Sequence, residues 1–479
     1  MDSVYIKRGV TPDQLEPVRE YYQWDELNQL AEEMVWDIVT PGKKIGVLYD
    51  PDVDGLMSGY ILNHYLNKFG RTVSRHMNKD KVHGLKDEAM DWVHQEDLDI
   101  LFIVDAGSGD HDTLNQLAQE GRRVVVLDHH DYTPAPLHEN VTIINASNHD
   151  PVKYTSGCGV VYYFIEAVAQ HTQDSVTFYE KYVGTTIISD ICSMTDATNR
   201  YFVKQTFNSI HDTPVFSEFP FYGSPMSLLG FTIIPYFNAM IRCNYTEEVM
   251  ALSDHFERRS FKKEKAKYDH IKQEQRDRVE ELKQIGELVK LNGLTVLLRG
   301  TQEANYRPFN GLVANQYLSE YKQSAIVLEY YPETETYEGS FRGYDINKDA
   351  LEEYGALCQG HDQACGVTLT QEQLYQLLME FDHNVERKDT VDFKVHSSVF
   401  TRNDWVKMSQ FNEFYGIDLP KISVEIVDEE PRAVQNKNNG RQLYVYDNII
   451  VTAFKNNTSG DAMVVEPTLD RQGYQLIKR

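Results

Sequence analysis

Lys43 to Gly59 reads KKIGVLYDPDVDGLMSG, an apolar run that empties into three aspartates at alternate positions, Asp50, Asp52 and Asp54. Three carboxylates this close repel one another unless positive charge sits among them, so the segment reads as one wall of a metal site. A short buried strand over 45–49 followed by helical periodicity over 55–68 makes it a strand, a loop and a helix. The rhythm continues with strands over 72–76, 99–104, 123–127 and 141–144 and a helix over 111–120. Strands alternating with helices through short loops predict an α/β fold with a mostly parallel sheet.

The 479 residues exceed one core and divide into several units. Residues 1–42 read as a helical N-terminal extension, 43–252 as the first α/β unit with a mainly helical second half, and 253–290 as one long charged connector helix. Residues 291–388 read as a second, smaller α/β unit, and 389–479 as a β-rich end, a small barrel or sandwich by its alternation. The basic cluster Arg258, Arg259, Lys262, Lys263, Lys265 and Lys267 on the connector is the best groove wall this acidic chain offers, although such mixed-sign faces are commonly just solvated.

Composition removes some classes. A formal charge of -26 argues against coating duplex DNA, while leaving nucleic acid open as a substrate where local cations or bound metal offset the acid. Five scattered cysteines, none spaced as CxxC, fit free thiols better than a disulfide or zinc framework. No apolar run reaches the length of a membrane span and the N-terminus has no signal-peptide pattern, so a cytoplasmic location without membrane attachment is expected.

Acidic residues recur where strands end: Asp50 after VLY, Asp105 in IVDAG, and Asp128 in VLDHH with His129 and His130 directly following. Asp190 ends another apolar segment, VGTTIISD, and such an acid is costly to bury unless it is paired or coordinates an ion. In open parallel sheets ligands lie beyond the carboxyl ends of the strands, so these residues are expected to converge. An EF-hand reading of DPDVDG fails because its twelfth position is Ile61 instead of a bidentate glutamate. Mixed carboxylate and imidazole ligation suits Mn2+ or a similar divalent ion, with Mg2+ an alternative. About six ligands suffice for two ions, which points to hydrolysis of a phosphate ester or anhydride.

In order, YDPDVDG, IVDAG, LDHH and Asp190 resemble the motifs of DHH phosphoesterases, and GSFRG (339–343) and QGHDQACG (359–366) resemble those of the DHH-associated domain. The segments NKDKVHGL, TSGCGVVYYF, TNRYFVK and PYFNAMIR make the likeness greatest to RecJ-type single-strand exonucleases, over about residues 43 to 385. The resemblance implies metal ligands at Asp52, Asp54, Asp105, His129 and Asp190, with the acid Asp50 a sixth candidate. It implies that Asp128 orients His129 and that His130 contacts phosphate. It also implies substrate contacts at Asn238, Arg242, Ser340, Arg342, Gly360 and His361. This chain departs from the pattern at Gln359, Cys365 and Ile241.

The expected function is therefore a divalent-metal-dependent exonuclease degrading single-stranded DNA, 5′ to 3′, by two-ion activation of water in a cleft between the two α/β units. Two alternatives remain open at this level. One is a phosphodiesterase of short RNA or cyclic dinucleotides; the other is a scaffold that kept the fold without catalysis.

Overall fold

The structure is a computed structural model that describes residues 15–220, 223–300, 306–383, 391–396, 401–416, 418–427, 431–436, 442–446, 449–453, 463–470 and 473–478. The first fourteen residues of the expected N-terminal extension lie outside this set. Its described part contains helix α1 (Asp25–Val39), whose buried stripe of Leu27, Leu30, Ala31, Met34 and Ile38 has helical spacing.

The first sheet holds five strands, β1 (Ile45–Tyr49), β2 (Val73–Met77), β3 (Ile100–Val104), β4 (Arg123–Asp128) and β5 (Val141–Asn145). All pair in parallel, in the order β2-β1-β3-β4-β5. Strands β1, β3 and β4 are buried nearly end to end, which is why they read as unbroken apolar runs instead of alternating ones. Helices α2 (Val53–Asn67), α3 (Asp87–Glu96) and α4 (His111–Gln119) make the crossovers. The order reverses between β1 and β3, and the crevice outside that switch point is where such sheets take ligands.

The mainly helical stretch contains α5 (Gly157–Thr172), α6 (Glu180–Ser189), α7 (Ala197–Ser209), α8 (Ile234–Arg242) and α9 (Thr246–Ser253). Helix α5 is apolar along most of its length and packs against α1 and α2, filling the centre of the largest core. The expected single connector helix is corrected here. It breaks into α10 (Phe261–Lys265) and α11 (Ile271–Leu282), and residues 287–291 already form strand β6 (Glu287–Leu291). Its aromatics explain the break: Phe256 and Phe261 are both fully buried, against Tyr60, Phe237 and Phe219. A straight helix does not turn residues five apart to one side, and burying each ring stabilises by roughly 1.5–3 kcal/mol, more than the few tenths per residue of helix propensity. The basic cluster thus lies on a folded-back segment, where Lys262 pairs with Glu218, Lys265 with Asp269 and Lys267 with Glu264.

The second α/β unit is a six-stranded mixed sheet, β10-β11-β9-β8-β7-β6. It is built from β7 (Leu294–Arg299), β8 (Ser324–Tyr331), β9 (Thr336–Arg342), β10 (Leu357–His361) and β11 (Ala364–Thr370) with β6, and it carries α12 (Asn310–Tyr321) and α13 (Gln371–Glu380). The QGHDQACG segment therefore forms the hairpin joining β10 to β11.

The C-terminal residues are β-rich as expected. A seven-stranded sheet runs β12-β13-β17-β18-β16-β15-β14 (393–395, 424–426, 463–470, 473–478, 450–453, 442–445 and 433–436). Among the described residues this order is open, and it is accompanied by a helix the alternation did not announce, α14 (Arg402–Phe411). Its core is continuous with that of the first unit: Phe414 stacks on Phe207 with ring centroids 5.8 Å apart, and Lys204 reaches Glu413 at 2.6 Å. All five cysteines are free, and among the described residues no helix is long and apolar enough to cross a membrane. Phe414→Ala should lower unfolding stability by about 3 kcal/mol in denaturant titration, because both stacked rings are buried at this junction.

Candidate metal centre

Each strand of the switch point delivers acid at its carboxyl end. After β1 the chain turns so tightly that an added Cβ on Gly55 would stand 2.3 Å from the Asp50 carbonyl oxygen. Asp52 then caps α2, accepting the Gly55 amide at 3.1 Å. Asp54, in the first turn, is wholly buried and accepts the Gly157 and Cys158 amides at 2.7 and 2.8 Å, so the N-terminus of α5 holds both its oxygens.

After β3, Asp105 sits in the left-handed region with φ 65°, which aspartate tolerates better than most residues. It is 1% exposed, and neither carboxylate oxygen has a hydrogen-bond partner. After β4, His129 directs Nδ1 at the Thr155 carbonyl, 3.0 Å away, and turns Nε2 toward the acids. Nε2 lies 3.2 Å from Asp105, 3.1 Å from Asp190 and 3.8 Å from Asp54. Asp190 arrives from the C-terminal end of α6.

Three groups of ligand atoms result, each within 4.8 Å: Asp54, Asp105, His129 and Asp190; Asp50, Asp52 and Asp105; and Asp105, His129 and His130. They share Asp105. Buried acceptors without donors, beside an imidazole already donating elsewhere, are the donor set of a divalent cation. The site fits such an ion.

Electrostatics agree. Burial, then the charge of Asp190, lifts the Asp54 carboxyl to about 7, while burial with Asp54 and Asp52 raises Asp105 well above the usual range. Burial opposes charging His129, yet its hydrogen bond to Asp190 and the neighbouring acids push it up to about 10. In the metal-free protein a proton thus partly stands in for the missing positive charge.

Asp128 requires a correction. It is expected to orient the His129 ring, but that ring is held by Thr155. Asp128 instead accepts the His129 and His130 backbone amides and the His130 Nδ1–H, the last at 2.8 Å. Burial works against its charge, but the His130 hydrogen bond prevails and holds it below the ordinary carboxylate range. His130 in turn rises to about 9 against burial, leaving a cationic ring 55% exposed beside the acids. Asp50 is buried and bound through both oxygens to His83 Nδ1, at 2.8 and 2.9 Å.

Basic residues gather on the Asp50 and Asp52 side. Arg242 ends α8 and Arg342 ends β9. Burial and then Arg342 bring Arg242 down to about 10. Lys81 joins them from the turn after β2, its ammonium lowered by burial and Arg242 but attracted by Asp52 and Asp50. That turn is strained, with Asp80 and Lys81 both at positive φ, and Asn244 pins it by two 2.8 Å bonds to Asp80. The Arg342 guanidinium lies against Gly311 at the start of α12.

Asn238 is one helical turn before Arg242, and Ser340 shares a face of β9 with Arg342. Gly360, at φ 121°, pairs with Cys365 one strand away. These three stand around the arginines and outside the acidic groups. His361 ends β10, and its side chain lies outside the described residues. Sequence reasoning missed Lys81, His83 and Thr155. The signal available was positional, since the loop after β2 must share an edge with the acids after β1 once those strands pair in parallel.

Fold and site together are those of a metal-dependent phosphoesterase. Residues 44–189, the parallel-sheet unit that carries the acids, match the DHH family, N-terminal domain. The chain is 25% identical over 452 residues to the SPbeta prophage-derived protein YorK of Bacillus subtilis (strain 168), which is named for single-strand DNA-specific exonuclease activity; the alignment spans 83% of this chain and 77% of YorK. To the single-stranded-DNA-specific exonuclease RecJ of the same organism it is 22% identical over 472 residues, covering 89% of this chain and 56% of RecJ. The crystal structure of RecJ with Mn2+ from Thermus thermophilus superposes with a TM-score of 0.75 at 18% identity, over 99% of this chain and 74% of that one, a likeness of fold.

Two measurements check the centre. Gly157→Ala places a methyl 2.3 Å from Asp105 Oδ1 and should weaken Mn2+ binding at least about tenfold by calorimetry, as removal of a supporting contact does. Because His129 and Asp54 must shed protons to ligate, Mn2+ affinity should tighten as pH rises toward about 10. Titration at pH near the Asp54 value of about 7, in buffers of different ionisation heat, should show proton release on binding.

Proposed function

We propose that the chain is an exonuclease that removes nucleotides from single-stranded DNA in the 5′ to 3′ direction, using two divalent ions, Mn2+ or Mg2+. The observation that carries this reading is the crowding of Lys81, Arg242 and Arg342 beside Asp50 and Asp52. Three cations from three separate elements repel one another unless an anion lies between them, and a phosphodiester is the anion that the acids opposite would act upon. The names borne by YorK and RecJ support single-stranded DNA as the substrate.

In this proposal Asp52, Asp54, Asp105, His129 and Asp190 hold the ions, with Asp50 completing the second group. Divalent ions held there would supply Lewis acidity and a lowered pKa of bound water. The protein's own contribution is positioning. Thr155 fixes the His129 tautomer, and the orphaned oxygens of Asp105 serve all three groups. Asp128 keeps His130 protonated and facing outward, where the ring donates to a phosphate oxygen. Arg242 and Arg342 grip the phosphate from the two α/β units, with Asn238, Ser340 and Gly360 beside them and His361 a further candidate contact by its place in the sequence.

The test is an activity panel of end-labelled single-stranded DNA, short RNA and cyclic dinucleotides with Mn2+, on the wild type and Asp105→Ala. Single strands should shorten stepwise from the 5′ end, and Asp105→Ala should lose at least about a thousandfold in rate. The variant's metal-free Tm should equal or exceed the wild type's, since removing one buried carboxylate relieves repulsion. Cleavage of dinucleotides with intact single strands would sink the exonuclease reading.

A further inference from the structure

Directly after Asp190, Ile191 adopts φ 54° while its side chain remains 51% exposed. A β-branched residue in the left-handed region is a true outlier, because its Cβ crowds the backbone. The place is the C-terminal end of α6. The Cys192 amide bonds back to the Ile187 carbonyl at 2.9 Å and the Ile191 amide to Ile188 at 3.4 Å, the turn that helices ordinarily close with glycine. An exposed isoleucine gains little by burial to offset that strain.

The segment directly after it is held from two sides. Asn199 donates to the Ser193 carbonyl at 3.0 Å and the buried Arg200 to the Met194 carbonyl at 2.6 Å. From the C-terminal unit, Asp418 accepts the Met194 amide at 3.1 Å and hydroxyls of Ser193 and Thr195. Strain that is over-determined from both sides, next to a reactive centre, is where a side chain is being held for use. Ile191 directly follows Asp190 of the acidic cluster and comes three residues before Met194, which meets the C-terminal unit at Asp418, and its exposed side chain offers only an apolar surface.

We propose that Ile191 is a substrate-contacting residue whose side chain packs against the nucleoside attached to the phosphate lying at the acids. This rests on the nuclease reading given above. The contact is sequence-tolerant, since every nucleoside offers a flat, weakly polar face.

The test uses the full chain with Mn2+ and a single-stranded oligonucleotide, comparing wild type, Ile191→Gly and Ile191→Leu. Ile191→Gly should raise KM about tenfold with kcat held within about twofold. It should also raise Tm by about 2 °C, because glycine accepts the turn without strain. Ile191→Leu, which keeps the bulk, should restore KM to within about twofold of wild type. An active wild type matched in KM by Ile191→Gly overturns the contact alone. If Mn2+ affinity and kcat fall together in Ile191→Gly, the turn serves Asp190 only and the contact is likewise overturned. A wild type that hydrolyses bis(p-nitrophenyl) phosphate but no oligonucleotide overturns both the nuclease reading and this contact.

Discussion

Like charges forced together out of water are the constraint on which the rest of this molecule depends. Asp54 and Asp105 are almost completely buried within reach of Asp52 and Asp190, and burial alone would drive such carboxyls to take up protons. Few arrangements relieve that cost. The N-terminus of α5 donates two amides to Asp54, and His129 stands among the acids as a cation when no metal is bound. The unpaired oxygens of Asp105 are left for an ion. Separate local features follow from this one demand: the glycine at the start of α5, the left-handed Asp105, and the Thr155 carbonyl under the imidazole.

The parallel sheet makes the crowding possible. With the order β2-β1-β3-β4-β5, neighbouring strand ends set Asp50, Asp105 and Asp128 side by side, although they are far apart in sequence. The loop after β2 falls on the same edge, bringing Lys81 and His83 to Asp50 and Asp52. The surplus of acid is answered by a surplus of base opposite it, with Arg242 and Arg342 reaching in from two different units. A net charge of -26 therefore does not exclude a local basic surface, because Lys81, Arg242 and Arg342 gather next to the acids.

The parts around the sheet serve placement. The connector folds back to bury Phe256 and Phe261 and then returns as α11 beside α8, the helix that ends in Arg242. The C-terminal unit shares the core of the first unit and touches the segment after Asp190 through Asp418. Both contacts lie within a few residues of groups at the site, so packing far from the acids constrains their geometry.

Much of this was written in the order of residues. An unbroken apolar run ending in acid is a buried strand delivering a charged side chain to a sheet edge, and its repetition at Asp50, Asp105 and Asp128 fixed the α/β class and the convergence of Asp54, Asp105, His129 and Asp190. Those signals are local, and backbone geometry carries them unchanged into the fold. Charge patterning alone made the connector one helix, because periodicity does not register that two aromatics five residues apart are pulled into the same core. Nor did motif order tell that Thr155, and not Asp128, holds the His129 ring, or that Lys81 and His83 face the acids. Such pairings depend on which strands lie side by side and how a helix end meets a loop. They are settled by long-range packing, where burying a ring or satisfying a carboxylate outweighs the preferences of neighbouring residues.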